Sequence, residues 1–439
     1  MSSSAADRRV CVCVLGDIGR SPRMQYHSIS LSNHFGVDLL GFEGSKPHEG
    51  VANNDRIKCH HMRQTPQWIY WLPSILVYFL KVWWQSWFRF SITYSSRKPR
   101  IFTPILVAQN PPSIPTLGVV WFVCRLRGSK FVVDWHNYGF TILGLTLGDN
   151  HILVKICKWF ETYFGAKSDA NFCVTNAMKE DLKNRFNISA TVLYDRPPDI
   201  FDAISVEEKH HLFLKLKTEY KEFLSDESDD DNQTVVTIHD TISYNISLRP
   251  KRPALVMSST SWTEDEDFDI LFKALELYDN SASSSGKWPH ILCVVTGKGP
   301  LKEYYQQKVL TQDFQSVKVV FPWLASQDYP KMVASADLGI CLHKSSSNLD
   351  LPMKVVDMFG CSLPVCAFNY DCIDELVLHE ENGLLFKTSE ELAQQLMDIF
   401  ENFPKENKRL NAFRTHLKQN FTKYRWNECW NENALKVFS

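Results

Sequence analysis

The stretch RVCVCVLGDIGRSPRMQYHSISLSNH, residues 9–34, sets the fold class. Residues 9–15 form an unbroken apolar run of valine, cysteine and leucine after Arg9, the pattern of a strand buried on both faces. Gly16-Asp17-Ile18-Gly19-Arg20-Ser21-Pro22 breaks that run, and a helix is expected over about 23–34. Strand, glycine turn and helix in this order open a parallel α/β unit.

The alternation continues. Strands are expected at 37–42, 105–109, 130–134, 172–175 and 191–194, with helices at 112–126 and 177–186. A second series starts near Pro253, with strands at 254–258, 291–296, 317–321 and 337–342. Helices are expected there at 267–278, from Leu301, and at 326–334. The expected architecture is therefore α/β, with two facing Rossmann-like domains binding ligand at the carboxyl ends of their strands in the cleft between them. The domains are expected at 1–200 and 253–439, joined by a linker at 201–252 that holds the acidic tract SDESDDDNQ.

Composition narrows the function. The chain has 439 residues, 44% hydrophobic and 22% charged, as folded proteins of two domains do. Lys plus Arg number 48 against 50 for Asp plus Glu, so there is no basic excess of the kind nucleic-acid binding needs. The 12 cysteines sit mostly in apolar runs, and no pair of CxxC motifs suggests zinc. That usage fits a reducing compartment. No secretory leader is expected ahead of the first strand.

Residues 68–90 read WIYWLPSILVYFLKVWWQSWFRF and contain Trp68, Trp71, Trp83, Trp84 and Trp87. The uncharged run 69–80 is short for a membrane span. Apolar residues recur at three to four positions, with Lys81, Gln85 and Arg89 opposite. A helix lying in a bilayer interface is expected; a helix covering the sheet is the alternative.

Residues 346–365, SSNLDLPMKVVDMFGCSLPV, carry the chemistry of the second half. Pro352 suits the first position of a helix that Gly360 can end. Such a start attracts phosphate. Asp350 and Asp357 can accept hydrogen bonds from sugar hydroxyls, and Lys354 can face a diphosphate. The same residues also suit a capped surface helix with a Lys354–Asp357 pair.

TGKGPLKEYY, FPWLASQDYPKMVASADLGICLH and DMFGCSLPV resemble the strand–turn–helix units of nucleotide-sugar glycosyltransferases with the two-domain B fold. More narrowly, GDIGRSPRMQYH, QNPPSIP, DWHNYG, CVTNAM, SSTSWTEDEDF and LDLPMKVVDMFG resemble a family of dolichol-pathway β-mannosyltransferases, from Val12 to Trp430. The resemblance implies inverting transfer of mannose from GDP-mannose to GlcNAc2-diphosphate-dolichol, on the cytosolic face of the endoplasmic reticulum. It implies a base from the amino-terminal half, with Asp17 and His136 as candidates and Asp134 able to orient His136. Arg20 and Arg23 are candidates for the acceptor diphosphate, or for salt bridges at an exposed helix start.

One departure stands out. Where many B-fold relatives place an Arg and a Lys for the donor diphosphate, this chain has Ser261 and Glu266. The donor is then expected to meet Lys298, Lys354 and the backbone of Ser259, Thr260, Ser261 and Trp262. The fold requires no cofactor, but acids at 264–267 leave a divalent cation, Mg2+ or Mn2+, open. Other dolichol-pathway transferases are conceivable partners. Competing functions are a B-fold transferase for a soluble glycan and a silent homologue that scaffolds other transferases at the membrane.

Overall fold

The chain divides into two units, Met1–Asp195 with Trp426–Ser439, and Arg196–Arg425. The structure, a computed structural model, describes residues 8–62, 105–225, 232–240, 242–263 and 266–439. The 68–90 segment, with Trp68, Trp71, Trp83, Trp84 and Trp87, lies outside the described residues.

The first unit is built on seven strands: β1 (Arg9–Asp17), β2 (Gly36–Phe42), β3 (Ile57–Met62), β4 (Ile105–Asn110), β5 (Lys130–Trp135), β6 (Ala170–Cys173) and β7 (Thr191–Val192). Their order is β3-β2-β1-β4-β5-β6-β7, and every neighbouring pair is parallel. Val10, Val12, Val107 and Val132 are buried, as central strands covered on both faces require. The order reverses between β1 and β4, which makes their carboxyl ends the switch point where such sheets bind ligands.

The helix after β4 runs Thr116–Arg127, starting later than expected. Pro111, Pro112 and Pro115 lack the N–H that helix interiors use, so they delay the start. The residue at its end, Gly128, has φ 66°, a left-handed cap that a side chain would strain.

The last residues return to this first unit, which corrects their expected place in the second domain. The helix Trp426–Asn433 is anchored by two buried indoles. Trp426 Nε1 donates to Ser30 Oγ at 3.0 Å, and the Trp430 ring stacks on Phe438 at 5.7 Å. Burying two tryptophans in one short segment holds it firmly.

The second unit opens with the helix Val206–Leu216, whose start is a reciprocal cap between Ser205 and Glu208. A hairpin of β8 (Thr237–Asp240) and β9 (Asn245–Leu248) follows. The expected linker is thus largely folded into this unit: Leu212, Phe213, Leu216 and Phe223 are buried, with the Phe213 and Phe223 rings 5.6 Å apart. Its sheet contains β10 (Ala254–Thr260), β11 (Ile291–Gly297), β12 (Val317–Val320), β13 (Leu338–Cys341), β14 (Val365–Phe368) and β15 (Gly383–Phe386). The order is β12-β11-β10-β13-β14-β15, again all parallel, with its switch between β10 and β13. Asp337 locks that switch from below. It accepts two bonds from buried Arg252, at 2.6 and 2.8 Å, and one from Leu255 N at 2.9 Å.

All 12 cysteines are free thiols and all but Cys59 are buried. Among the described residues no helix is long and apolar enough to cross a membrane.

Candidate active site

At the carboxyl end of β5 stands a buried carboxylate with four donors around it. Asp134 Oδ2 accepts from Arg23 Nε at 2.8 Å, His136 Nε2 at 2.8 Å and His27 Nε2 at 3.1 Å. Its Oδ1 accepts from Arg23 Nη2 at 2.9 Å. Burial would favour the neutral acid, but Arg23 first, then His136 and His27, hold Asp134 well below the usual carboxylate range.

Each partner of Asp134 has a distinct task. Arg23 is buried and also donates to Leu193 O and Asp195 Oδ1, both at 2.8 Å. Burial disfavours its charge, yet Asp134 and Asp195 raise its pKa overall. His27 is buried too, and its Nδ1 faces the Trp430 indole N–H at 3.0 Å. An indole nitrogen only donates, so His27 Nδ1 is the acceptor and its proton sits on Nε2, toward Asp134. Burial lowers the His27 pKa and keeps the ring neutral. His136 alone reaches solvent, with 22% of its side chain exposed. Its backbone N–H is held by Asn110 O at 2.8 Å, so the end of β4 positions the loop that carries it. With Nε2 on Asp134, Nδ1 is the nitrogen left to take a proton. A carboxylate that orients an imidazole in this way is the arrangement of a general base.

The other base candidate is placed differently. Asp17 Oδ1 accepts from Gly19 N at 2.9 Å and Oδ2 from Ser45 N at 2.8 Å. Burial opposes its ionisation, but the Ser45 and Gly19 bonds outweigh that and lower its pKa. The loop is tight: a Cβ on Gly44 would lie 2.4 Å from Asp17 Oδ2. Asp17 therefore ties two loops together and is a weak base. Arg20 keeps 81% of its side chain exposed, 3.7 Å from Asp17. Arg23 is not an exposed phosphate contact, because it is buried and bonded to Asp134, Asp195 and Leu193 O within the unit.

In the second unit the loops after β10, β11 and β13 converge with the start of the helix Met353–Gly360. Glu266, 2% exposed, is their common anchor. Its Oε2 accepts from Thr260 Oγ1 at 2.5 Å and Ser261 N at 2.9 Å, and its Oε1 from Lys354 Nζ at 2.5 Å. A bridge between Glu266 and His343 stitches this loop to the end of β13. Trp262 N–H is taken by Thr260 Oγ1 at 2.7 Å, and Ser259 Oγ meets Tyr329 Oη at 3.0 Å. The N–H groups of Ser261 and Trp262 are thus already used, which takes these two out of the expected phosphate cradle. Trp262 itself is buried, its ring 4.4 Å from that of Phe268. The glycine turn is pressed against this loop: a Cβ on Gly299 would lie 1.7 Å from Ser261 O.

Lys298 Nζ sits 3.7 Å above the Trp323 ring centroid, a cation–π contact at the same end of the sheet. Asp350 accepts from Ser345 Oγ and lies 3.5 Å from His343 Nε2. Its backbone oxygen accepts from Tyr370 Oη at 2.9 Å. Pro352 is the cap residue, with φ −74° and ψ 114°, one place before the helix and not its first turn. Asp357 is partly buried within that helix. Among the described residues no group of three His, Cys, Asp or Glu side chains is arranged to hold a metal ion. His27 and Trp430 were not legible as site residues, since no local pattern joins positions 403 residues apart.

Two Rossmann-like parallel sheets, one with an Asp134–His136 pair at the carboxyl end of β5 and one with a Lys354–Glu266 pair beside its switch, define a glycosyltransferase of the B fold. A profile of the family Glycosyl transferases group 1 matches residues 252–402. The fold is shared with Anabaena HepE solved with UDP and glucose, at TM-score 0.64 and 15% identity, covering 98% of this chain and 99% of that one. The chain is 47% identical over 437 residues to human chitobiosyldiphosphodolichol β-mannosyltransferase, covering 98% of this chain and 93% of that protein. It is 42% identical to the Arabidopsis thaliana UDP-glycosyltransferase TURAN, covering 98% and 97%. The chain belongs to the chitobiosyldiphosphodolichol β-mannosyltransferase family.

Proposed function

We propose that this chain transfers mannose from GDP-mannose to chitobiosyl-diphosphodolichol with inversion. The acceptor hydroxyl oxygen attacks the anomeric carbon from the face opposite the diphosphate. The carbon–oxygen bond to the diphosphate breaks, GDP departs, and the hydroxyl proton passes to His136 Nδ1. Asp134 orients the ring and stabilises the imidazolium that results. Arg20 serves the acceptor diphosphate, while Lys354 and Lys298 serve the donor's, with Asp350 and Asp357 toward sugar hydroxyls. Two of the acids in the 264–267 run are already engaged: Glu266 by Lys354 and Thr260, and Asp267 by Asp269 N. We therefore assign neutralisation of the diphosphate to lysines, without a resident cation. The reaction is placed on the cytosolic face of the endoplasmic reticulum, where other transferases of the same pathway would be neighbours.

The observation that carries the mechanism is the 2.8 Å pairing of His136 with buried Asp134. A mannose-transfer assay with a chitobiosyl-diphosphate lipid acceptor tests it, offering GDP-mannose and UDP-hexoses in parallel. Turnover is expected with GDP-mannose only. His136→Ala should lower kcat by about 10²–10⁴-fold with an unchanged fold. A soluble glycan used equally well, or parental turnover in that variant, would overturn the substrate or the base respectively.

A further inference from the structure

Three helices on the first unit form an apolar outer face that the transfer chemistry does not use. The helix Ile152–Gly165 lies between the helices Thr116–Arg127 and Gly139–Leu147. The first contact is close: a Cβ on Gly118 would lie 2.8 Å from Phe160, and the Trp121 and Phe164 rings are 5.6 Å apart. The second is a hydrogen-bonded junction, in which Glu161 accepts from Gly139 N at 3.0 Å and Phe140 N at 3.2 Å. The three therefore present one surface.

That surface is apolar where a solvated helix would be polar. Ile152, Ile156, Trp159 and Tyr163 recur along the outer side of the middle helix, and Trp159 is 60% exposed. The Trp159 and Tyr163 rings stack at 5.5 Å. Leu126 and Leu145, 60% and 65% exposed, add exposed apolar side chains on the two flanking helices. Isolated exposed apolar residues are ordinary, but a contiguous aromatic patch marks an interaction surface.

Its charge selects the occupant. Across the three helices the basic residues are Arg125, Arg127, Lys155 and Lys158, and the only acid is Glu161, which is fully buried. Asp149 stands in the connecting loop, and Lys167 follows the middle helix with its ammonium 5.2 Å from the Tyr163 ring. Aromatic and aliphatic side chains flanked by lysine and arginine, with no exposed acid among them, match a bilayer interface carrying anionic headgroups. The helix Gly139–Leu147 also begins three residues after His136. We propose that this three-helix face docks on an anionic lipid surface, which would hold the acceptor-binding unit at the membrane independently of the 68–90 segment.

The test is co-sedimentation of the full chain with phosphatidylcholine vesicles, with and without about a third phosphatidylserine. Arg125→Glu with Lys155→Glu should weaken binding to anionic vesicles about tenfold or more, and raised salt should weaken the parent likewise. Ile152→Ser with Trp159→Ser should weaken it as well. Both pairs are exposed, so thermal unfolding should stay near the parent's. Transfer to a short-chain acceptor in water should be unchanged, which separates this proposal from the assigned reaction. Parental vesicle binding by both variants would overturn it. So would a loss of self-association in the variants, without vesicles, in place of a loss of lipid binding.

Discussion

Trp430 Nε1 donates to His27 Nδ1 at 3.0 Å, and both rings are fully buried. This bond, made by the returning C-terminal helix, fixes which His27 nitrogen faces Asp134. Trp430→Phe keeps an apolar ring but leaves His27 Nδ1 without its donor. A buried acceptor left unpaired costs about 1–3 kcal/mol. Denaturant unfolding should register a loss of that size. The variant should also lower kcat more than it raises either KM, because Asp134 is displaced from His136. Parental stability and kcat together would contradict this role.

The same ring predicts a pH dependence. Burial holds His27 neutral in the folded chain, while in the unfolded chain it titrates near about 6.5. Below that pH the unfolded state takes up a proton that the folded state does not, so stability falls as pH falls. One such group contributes at most about 1.4 kcal/mol per pH unit. The charged and titratable groups facing the ring are Asp134, Arg23 and His136. His27→Gln can still donate to Asp134 but does not titrate. Its unfolding free energy between pH 7 and 5.5 should decline less steeply than the parent's, leaving the contributions of His210, whose pKa burial also lowers, and of Glu161, whose carboxyl burial pushes up to about 7 and which acts in the opposite sense. Equal slopes would show that His27 is already charged when folded.

Both sheets were largely legible because their central strands are continuous apolar runs, each closed by a turn. β1, β4, β10 and β11 appear within two residues of expectation at either end. β3, buried only at Ile57 and Met62, was missed because its lysine and two histidines disguise an edge strand. The site was legible where its residues are close in sequence, as with Asp134 and His136. It was not legible where partners come from afar. Arg23 reads equally as a phosphate ligand or an exposed salt bridge, and its buried pairing with Asp134 and Asp195, 111 and 172 positions away, leaves no local trace. Ser261 and Trp262 looked free because side-chain acceptors such as Glu266 Oε2 and Thr260 Oγ1 leave no periodic trace.

Asp17→Asn separates loop tying from proton transfer. The amide can still accept from Gly19 N, but its NH2 cannot accept from Ser45 N. A loss of about 1 kcal/mol in stability is expected, with kcat within a few-fold of the parent. A fall of about a thousandfold in kcat at parental stability would instead make Asp17 the base.

Lys354 offers the sharpest division between structure and binding. Its ammonium contacts buried Glu266, so removing it affects both the loop and any diphosphate it faces. Lys354→Met should raise the KM for the donor about tenfold or more while leaving the acceptor KM unchanged. Adding Glu266→Gln removes the buried charge that Lys354 neutralises, and an amide oxygen can still accept from Ser261 N. If Lys354 acts on the donor, the double variant recovers stability but keeps the high donor KM. If it acts only by balancing Glu266, both return together, because the two side chains then form one coupled pair. Unfolding and donor saturation measured on the parent, Lys354→Met, Glu266→Gln and the double variant decide between these outcomes.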